Sequence, residues 1–165
     1  SLLDKKVIAK LYEASANGVR IDLIVRGICT LRPGIAGVSD NITVRSIVGR
    51  FLEHHRLFYF RSGGNEKIFL SSADWMPRNL NERVELMIPI EDKRHKARIK
   101  GILDLYLVDT LKAHLMRADG SYYKVSNIEG PLSAQEELME AANTQDSREQ
   151  MTVIERFKPM FKMKE

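Results

Sequence analysis

The chain's 165 residues are enough for one domain with its own core, and 44% hydrophobic with 29% charged residues is ordinary globular composition. A formal charge of +4 is a mild basic excess that suits phosphate-bearing ligands and equally suits other soluble roles. The single cysteine, Cys29, excludes an intramolecular disulfide and a thiolate metal site, no apolar run reaches the ~18 residues of a membrane span, and no signal-peptide layout is present. A reducing, cytoplasmic setting is the expectation, with peripheral membrane association compatible with it. The start, SLLDKK without a methionine, is expected of a piece cut from something longer.

Val7, Ile8, Leu11, Tyr12 and Ala14 recur at helical spacing up to Asn17-Gly18, which predicts an amphipathic helix. Val19 to Val25 is a β-branched, apolar run closed by Arg26-Gly27 and reads as an interior strand, half of an α/β crossover unit. Pro33, Gly34, Gly37, Ser39, Asp40 and Asn41 make residues 28–41 an irregular loop at that strand's end, where ligands are met. Ile42 to Val48 predicts a strand, Gly49 to Glu53 a short turn, and His54 to Phe60 a further strand. Alternation on the latter would turn His54, Arg56, Phe58 and Phe60 to one side.

Ser62-Gly63-Gly64-Asn65 supplies the positive-φ residues of a hairpin, with Lys67 to Ser72 returning. Pro77 stops that direction, and Val84, Leu86, Ile88 and Ile90 alternate as another strand with Arg83, Glu85 and Met87 on its opposite face. From an N-cap at Asp92, the stripe Ile99, Ile102, Leu103, Tyr106, Leu107, Thr110, Leu111 and Leu115 predicts a helix to about Ala118, stopped by Asp119-Gly120. Tyr122, Tyr123 and Val125 suggest a short edge strand, and Ser133 with Glu136 a capping box before a short helix. The polar remainder, ending RFKPMFKMKE, is expected to pack elsewhere or stay mobile. The order implies an α/β fold, a mixed β-sheet flanked by helices over 1–125 with a helical extension over 126–165.

His54 with Arg56, followed by a strand ending Ser71-Ser72-Ala73-Asp74, resembles the layout of the phospholipase D fold. There a histidine and a lysine on one strand meet polar side chains of a neighbouring strand end around a phosphate. Arginine stands here for the lysine and Asp74 for an asparagine, and the aspartate expected a few residues after the lysine is missing. The longer blocks IDLIVRGICTLRPGIAGVSDNI, IVGRFLEHHRLFYF and IFLSSADWMPRNLNERVE resemble the C-terminal catalytic domain of polyphosphate kinase of the first, bacterial type, over about Leu2 to Val125.

That resemblance implies reversible transfer of the terminal phosphate of ATP to polyphosphate through a phosphohistidine. ATP/ADP and polyphosphate would be the partners, Mg2+ the cofactor with its ligands mostly outside this chain, and the full-length protein a homo-oligomer; nucleic acid is not expected. The histidine that becomes phosphorylated belongs to a preceding domain, to which no block here corresponds. The family's second catalytic histidine sits in its LEH motif, here Leu52-Glu53-His54. The arginine of the IVRG block, Arg26, is expected to contact nucleotide phosphates, and the Arg and Glu that follow the SADWM block are Arg83 and Glu85.

These residue types suit the chemistry. Phosphoryl transfer rests on positioning and on cations matched to phosphate oxygens, for which the planar forks of Arg26 and Arg83 are apt. A histidine titrating near neutrality can give a proton to a phosphate oxygen and take it back, and Glu85 could orient His54. Other readings stand beside these. Arg83 and Glu85 could pair with each other, Asp74 could hold a turn, Trp75 could be core, and His95 and His114 could lie on the solvated face of the long helix. Two rival functions remain open, a phospholipase D-type phosphodiesterase or nuclease and a non-catalytic basic nucleic-acid-binding module.

Overall fold

A computed structural model describes residues 1–125 and 130–143. In chain order its elements are α1 (Lys5–Ala16), β1 (Ile21–Ile24), β2 (Ile42–Ile47), β3 (Arg56–Ser62), β4 (Asn65–Ser71), α2 (Pro77–Glu82), β5 (Met87–Ile90), α3 (Lys93–Val108), β6 (Ala113–Met116), β7 (Tyr122–Lys124) and α4 (Ala134–Asn143). The expected mixed sheet is present as a four-stranded sheet in the order β1-β2-β6-β7, parallel only between β1 and β2. The remaining strands form a separate antiparallel sheet, β3-β4-β5.

Asp4 starts α1 by accepting hydrogen bonds from the backbone N–H groups of Lys6 (3.0 Å) and Val7 (2.9 Å). Gly18, at φ 83°, ends it in the left-handed region that a side chain resists. The apolar stripe Val7, Ile8, Leu11 and Tyr12 packs on a cluster of Leu2, Val25, Leu31, Ile42, Val44 and Met116. Because strand side chains alternate, Ile42 and Val44 face that cluster while Ile47 faces the other way. Ile47 joins Leu105, Tyr106, Ala113, Leu132 and Ala134 in a second cluster. The four-stranded sheet is thus covered by α1 on one face and by α3 and α4 on the other. Cys29 is half-buried beside the first cluster, and burial pushes its thiol pKa up.

Several boundaries differ from the sequence reading. The strand foreseen over 54–60 begins at Arg56, so His54 and His55 lie in the approach to it. Pro77 does more than stop a strand: it opens α2 at a position where a missing N–H costs nothing. The strand foreseen from Val84 starts only at Met87; Val84 is fully exposed, and Arg83 and Glu85 sit in the connection after α2. The helix foreseen to Ala118 ends at Val108.

The cause of that last difference is Asp109, which is completely buried. Its carboxylate accepts from the amides of Lys112 (2.7 Å), Ala113 (3.0 Å) and Ala134 (2.8 Å). The chain therefore turns into β6, which carries His114 and Leu115 away from the helix, and Asp119-Gly120 turns β6 into β7. His95 stays on α3 as a solvated side chain. Ser133 Oγ accepts from the Glu136 amide at 3.4 Å, as the expected cap before α4. The expected division after residue 125 and the tail beyond 143 fall outside the described residues. None of the described helices is long and apolar enough to cross a membrane.

Candidate active site

The hairpin sheet brings the two ends of the site together. Gly63 and Gly64, both at positive φ, close β3 onto β4 with Ser62 opposite Asn65, which fixes Arg56 opposite Ser71. The residues that follow Ser71, namely Ser72, Ala73 and Asp74, are thereby delivered beside the residues that precede Arg56, namely His54 and His55.

Arg56 joins these two ends. Its Nη2 donates to Asp74 Oδ2 at 2.8 Å and its Nε to Oδ1 at 3.3 Å, a two-point pairing of fork and carboxylate. Its Nη1 donates to the carbonyl of His54 at 2.8 Å and lies 3.1 and 3.4 Å from the two ring nitrogens of the same histidine. Burial alone would raise the pKa of Asp74; the hydrogen bond and charge of Arg56 oppose it and, together with the amino group of Ser1 in this chain, hold the carboxyl at about 2. The imidazole of His54 is exposed, and Arg26, delivered by the end of β1, donates from Nε to the carbonyl of Glu53 at 3.4 Å. Arg26 therefore arrives one residue from His54, as its place at a strand end suggested.

Glu85 is brought to the end of β4, where Ser72 Oγ donates to its Oε2 and the buried Asn79 donates to its Oε1 at 2.7 Å. Those two hydrogen bonds, aided by the charges of Arg83 and Arg56, lower its pKa. Arg83 itself is exposed at the end of α2 and makes no ion pair among the described residues, so the alternative reading of an Arg83–Glu85 pair is not met. Glu85 is engaged with Ser72 and Asn79, and no hydrogen bond joins it to His54 among the described residues. Trp75 stacks on Phe58 with ring centroids 4.8 Å apart and packs on the first core cluster, which is the core role.

The segment carrying His54 has a further set of partners. Tyr106 donates its hydroxyl to Glu53 Oε2 at 2.7 Å, and Gln135 donates from Nε2 to Glu53 Oε1 at 2.6 Å. The His55 ring stacks on Tyr106 at 5.4 Å, with its Nδ1 3.6 Å from Glu53 Oε2; burial lowers the His55 pKa against the pull of Glu53. Tyr106 was legible only as one member of a helix stripe, and Gln135 carried no signal, since 82 residues separate it from Glu53.

A strip of cationic and hydrogen-bonding groups around an exposed histidine suits a phosphate. The family model for the polyphosphate kinase C-terminal domain 2 matches residues 1–135. The chain belongs to that family. It is 56% identical over 142 residues to the polyphosphate kinase of Pseudomonas aeruginosa strain PAO1, covering 85% of this chain and 21% of that protein. It is 58% identical over 127 residues to that of Bacillus anthracis, covering 77% of this chain and 18% of the relative. Its structure superposes on the crystal structure of polyphosphate kinase from Porphyromonas gingivalis with a TM-score of 0.84 and 41% identity, over 92% of this chain and 23% of the other. The chain thus spans about a fifth of the length of the curated relatives it matches. The fold is the mixed α/β, phospholipase D-like arrangement expected of a polyphosphate kinase C-terminal domain.

Among the described residues magnesium finds no ready donor set. Asp74 is committed to Arg56 and Glu85 to Ser72 and Asn79, and the described residues contain no group of three or more potential metal ligands.

Proposed function

We propose that this chain contributes one wall of the site at which a longer polyphosphate kinase moves the terminal phosphate of ATP to polyphosphate and back. The observation that carries the reading is the exposed imidazole of His54, flanked by Arg26 and Arg56 at two strand ends, in a chain of this family. His54 serves as the general acid that protonates the departing phosphate oxygen as a P–O bond breaks, and as the base that takes the proton from an attacking phosphate oxygen in the reverse direction. Arg26 and Arg83 bind phosphate oxygens of nucleotide or polyphosphate, since neither guanidinium is spent on a carboxylate among the described residues. Glu85 acts by fixing the end of β4 through Ser72 and Asn79 while shaping the field around Arg83. The phosphohistidine lies on the remaining part of the polypeptide, and magnesium comes with the nucleotide phosphates rather than on ligands of this chain.

In the full-length protein, His54→Ala should lower ATP-dependent polyphosphate synthesis by about 100-fold or more with an unchanged unfolding temperature. The isolated chain should make little polyphosphate. Synthesis by His54→Ala at the wild-type rate would reject the reading. Hydrolysis of a model phosphodiester by the isolated chain, lost in the same variant, would favour the phospholipase-type alternative.

A further inference from the structure

We propose that Gln135, with Tyr106, is a positioning device for His54, holding the segment that presents it through Glu53; the inference rests on the reading of His54 given above. Residues 48–55 form neither helix nor strand, and their larger apolar side chains, Val48, Phe51 and Leu52, are exposed. Apart from the stack of His55 on Tyr106, packing therefore does little to fix this segment, although it must hold the reacting histidine. Polar contacts do so instead.

The carboxamide of Gln135 is used from both ends. Its Nε2 donates to the carbonyl of Phe51 at 2.9 Å and to Glu53 Oε1 at 2.6 Å, and its Oε1 accepts from the Phe51 amide at 3.1 Å. The other oxygen of Glu53 takes the hydroxyl of Tyr106. Both clamping side chains are buried, Gln135 at 6% and Tyr106 at 4% exposure, where an unmatched polar group is costly and the geometry is correspondingly well defined. Gly49 makes room for the arrangement, since a Cβ built there would collide with Gln135 Oε1.

The clamp is itself held. The amide of Ala134, next to Gln135, donates to the buried carboxylate of Asp109, so the start of α4 is tied to the end of α3, from which Tyr106 projects. At the other end, the carbonyl of Glu53 receives Arg26 and the carbonyl of His54 receives Arg56. Moving Glu53 would therefore shift His54 and its arginines together, and a displacement of about 1 Å in a transfer site costs on the order of 100-fold in rate.

The test uses the full-length polyphosphate kinase, with polyphosphate synthesis and amide hydrogen exchange as readouts. Gln135→Leu should lower kcat by about 10- to 100-fold while the KM for ATP stays within about threefold. Peptides covering residues 49–55 should exchange faster, with β2 and β6 unchanged. Gln135→Glu sets two carboxylates against each other and should be worse, and Glu53→Gln added to it should restore much of kcat, which loss of stability alone would not do. Gln135→Asn, one methylene shorter, serves where Gln135→Leu does not fold. Full kcat and unchanged exchange in the Gln135 variants, with His54→Ala inactive, would overturn the clamp alone. Wild-type synthesis by His54→Ala would remove the reading beneath it as well.

Discussion

Arg56 illustrates how residue-level reading can reach the right neighbours by the wrong route. Strand alternation predicts Arg56 on the same side as His54; the strand instead starts at Arg56, and its guanidinium reaches back to the His54 carbonyl and ring. The guanidinium is immobilised by Asp74, which gives a pH signature. In this chain, where the Ser1 amino group adds to Arg56, the folded-state pKa of Asp74, about 2, lies below the ~3.9 of an unfolded aspartate. Its contribution to stability is therefore complete above about pH 4 and is lost as the pH falls through about 2. Asp74→Asn should lower the urea midpoint at pH 7 and flatten its acid dependence in that window, measured by equilibrium unfolding. Glu85 shows the opposite outcome. Its expected partner was His54, but the intervening helix α2 places it on Ser72 and Asn79, and that helix was hidden because Pro77 was read only as a breaker.

Among the elements, α1, the hairpin turn, the N-cap of α3 and the cap of α4 were all written in local chemistry: a side chain that accepts amides, or a glycine that tolerates positive φ. The end of α3 was not. Thr110, Leu111 and Leu115 continue its apolar spacing, and what stops the helix is a buried carboxylate whose third partner, the Ala134 amide, is far along the chain. Long-range polar satisfaction leaves no periodic trace. Asp109→Ala would strand the buried amides of Ala113 and Ala134, each worth about 1–3 kcal/mol when unsatisfied, and release the part-buried amide of Lys112. It should destabilise the fold by at least about 2 kcal/mol in urea unfolding, with near-normal helix content in those molecules that remain folded.

At the scale of the whole molecule, the resemblance in ordered sequence blocks gave the fold, while the division of strands into two sheets needed coordinates. The sheets differ in protection. Helices cover both faces of the four-stranded sheet, whereas Phe60, Leu70, Met87 and Ile88 of the hairpin sheet are exposed. Native-state hydrogen exchange should accordingly be slowest in β2 and β6 and faster in β4, even though β4 is a central strand; equal protection would contradict this. The bond from Gln135 to Phe51 has one more consequence, in the order of assembly. It spans 84 residues and reaches the segment from α4, so the segment bearing His54 cannot take its working geometry until α4 has docked, whatever the state of the rest of the scaffold.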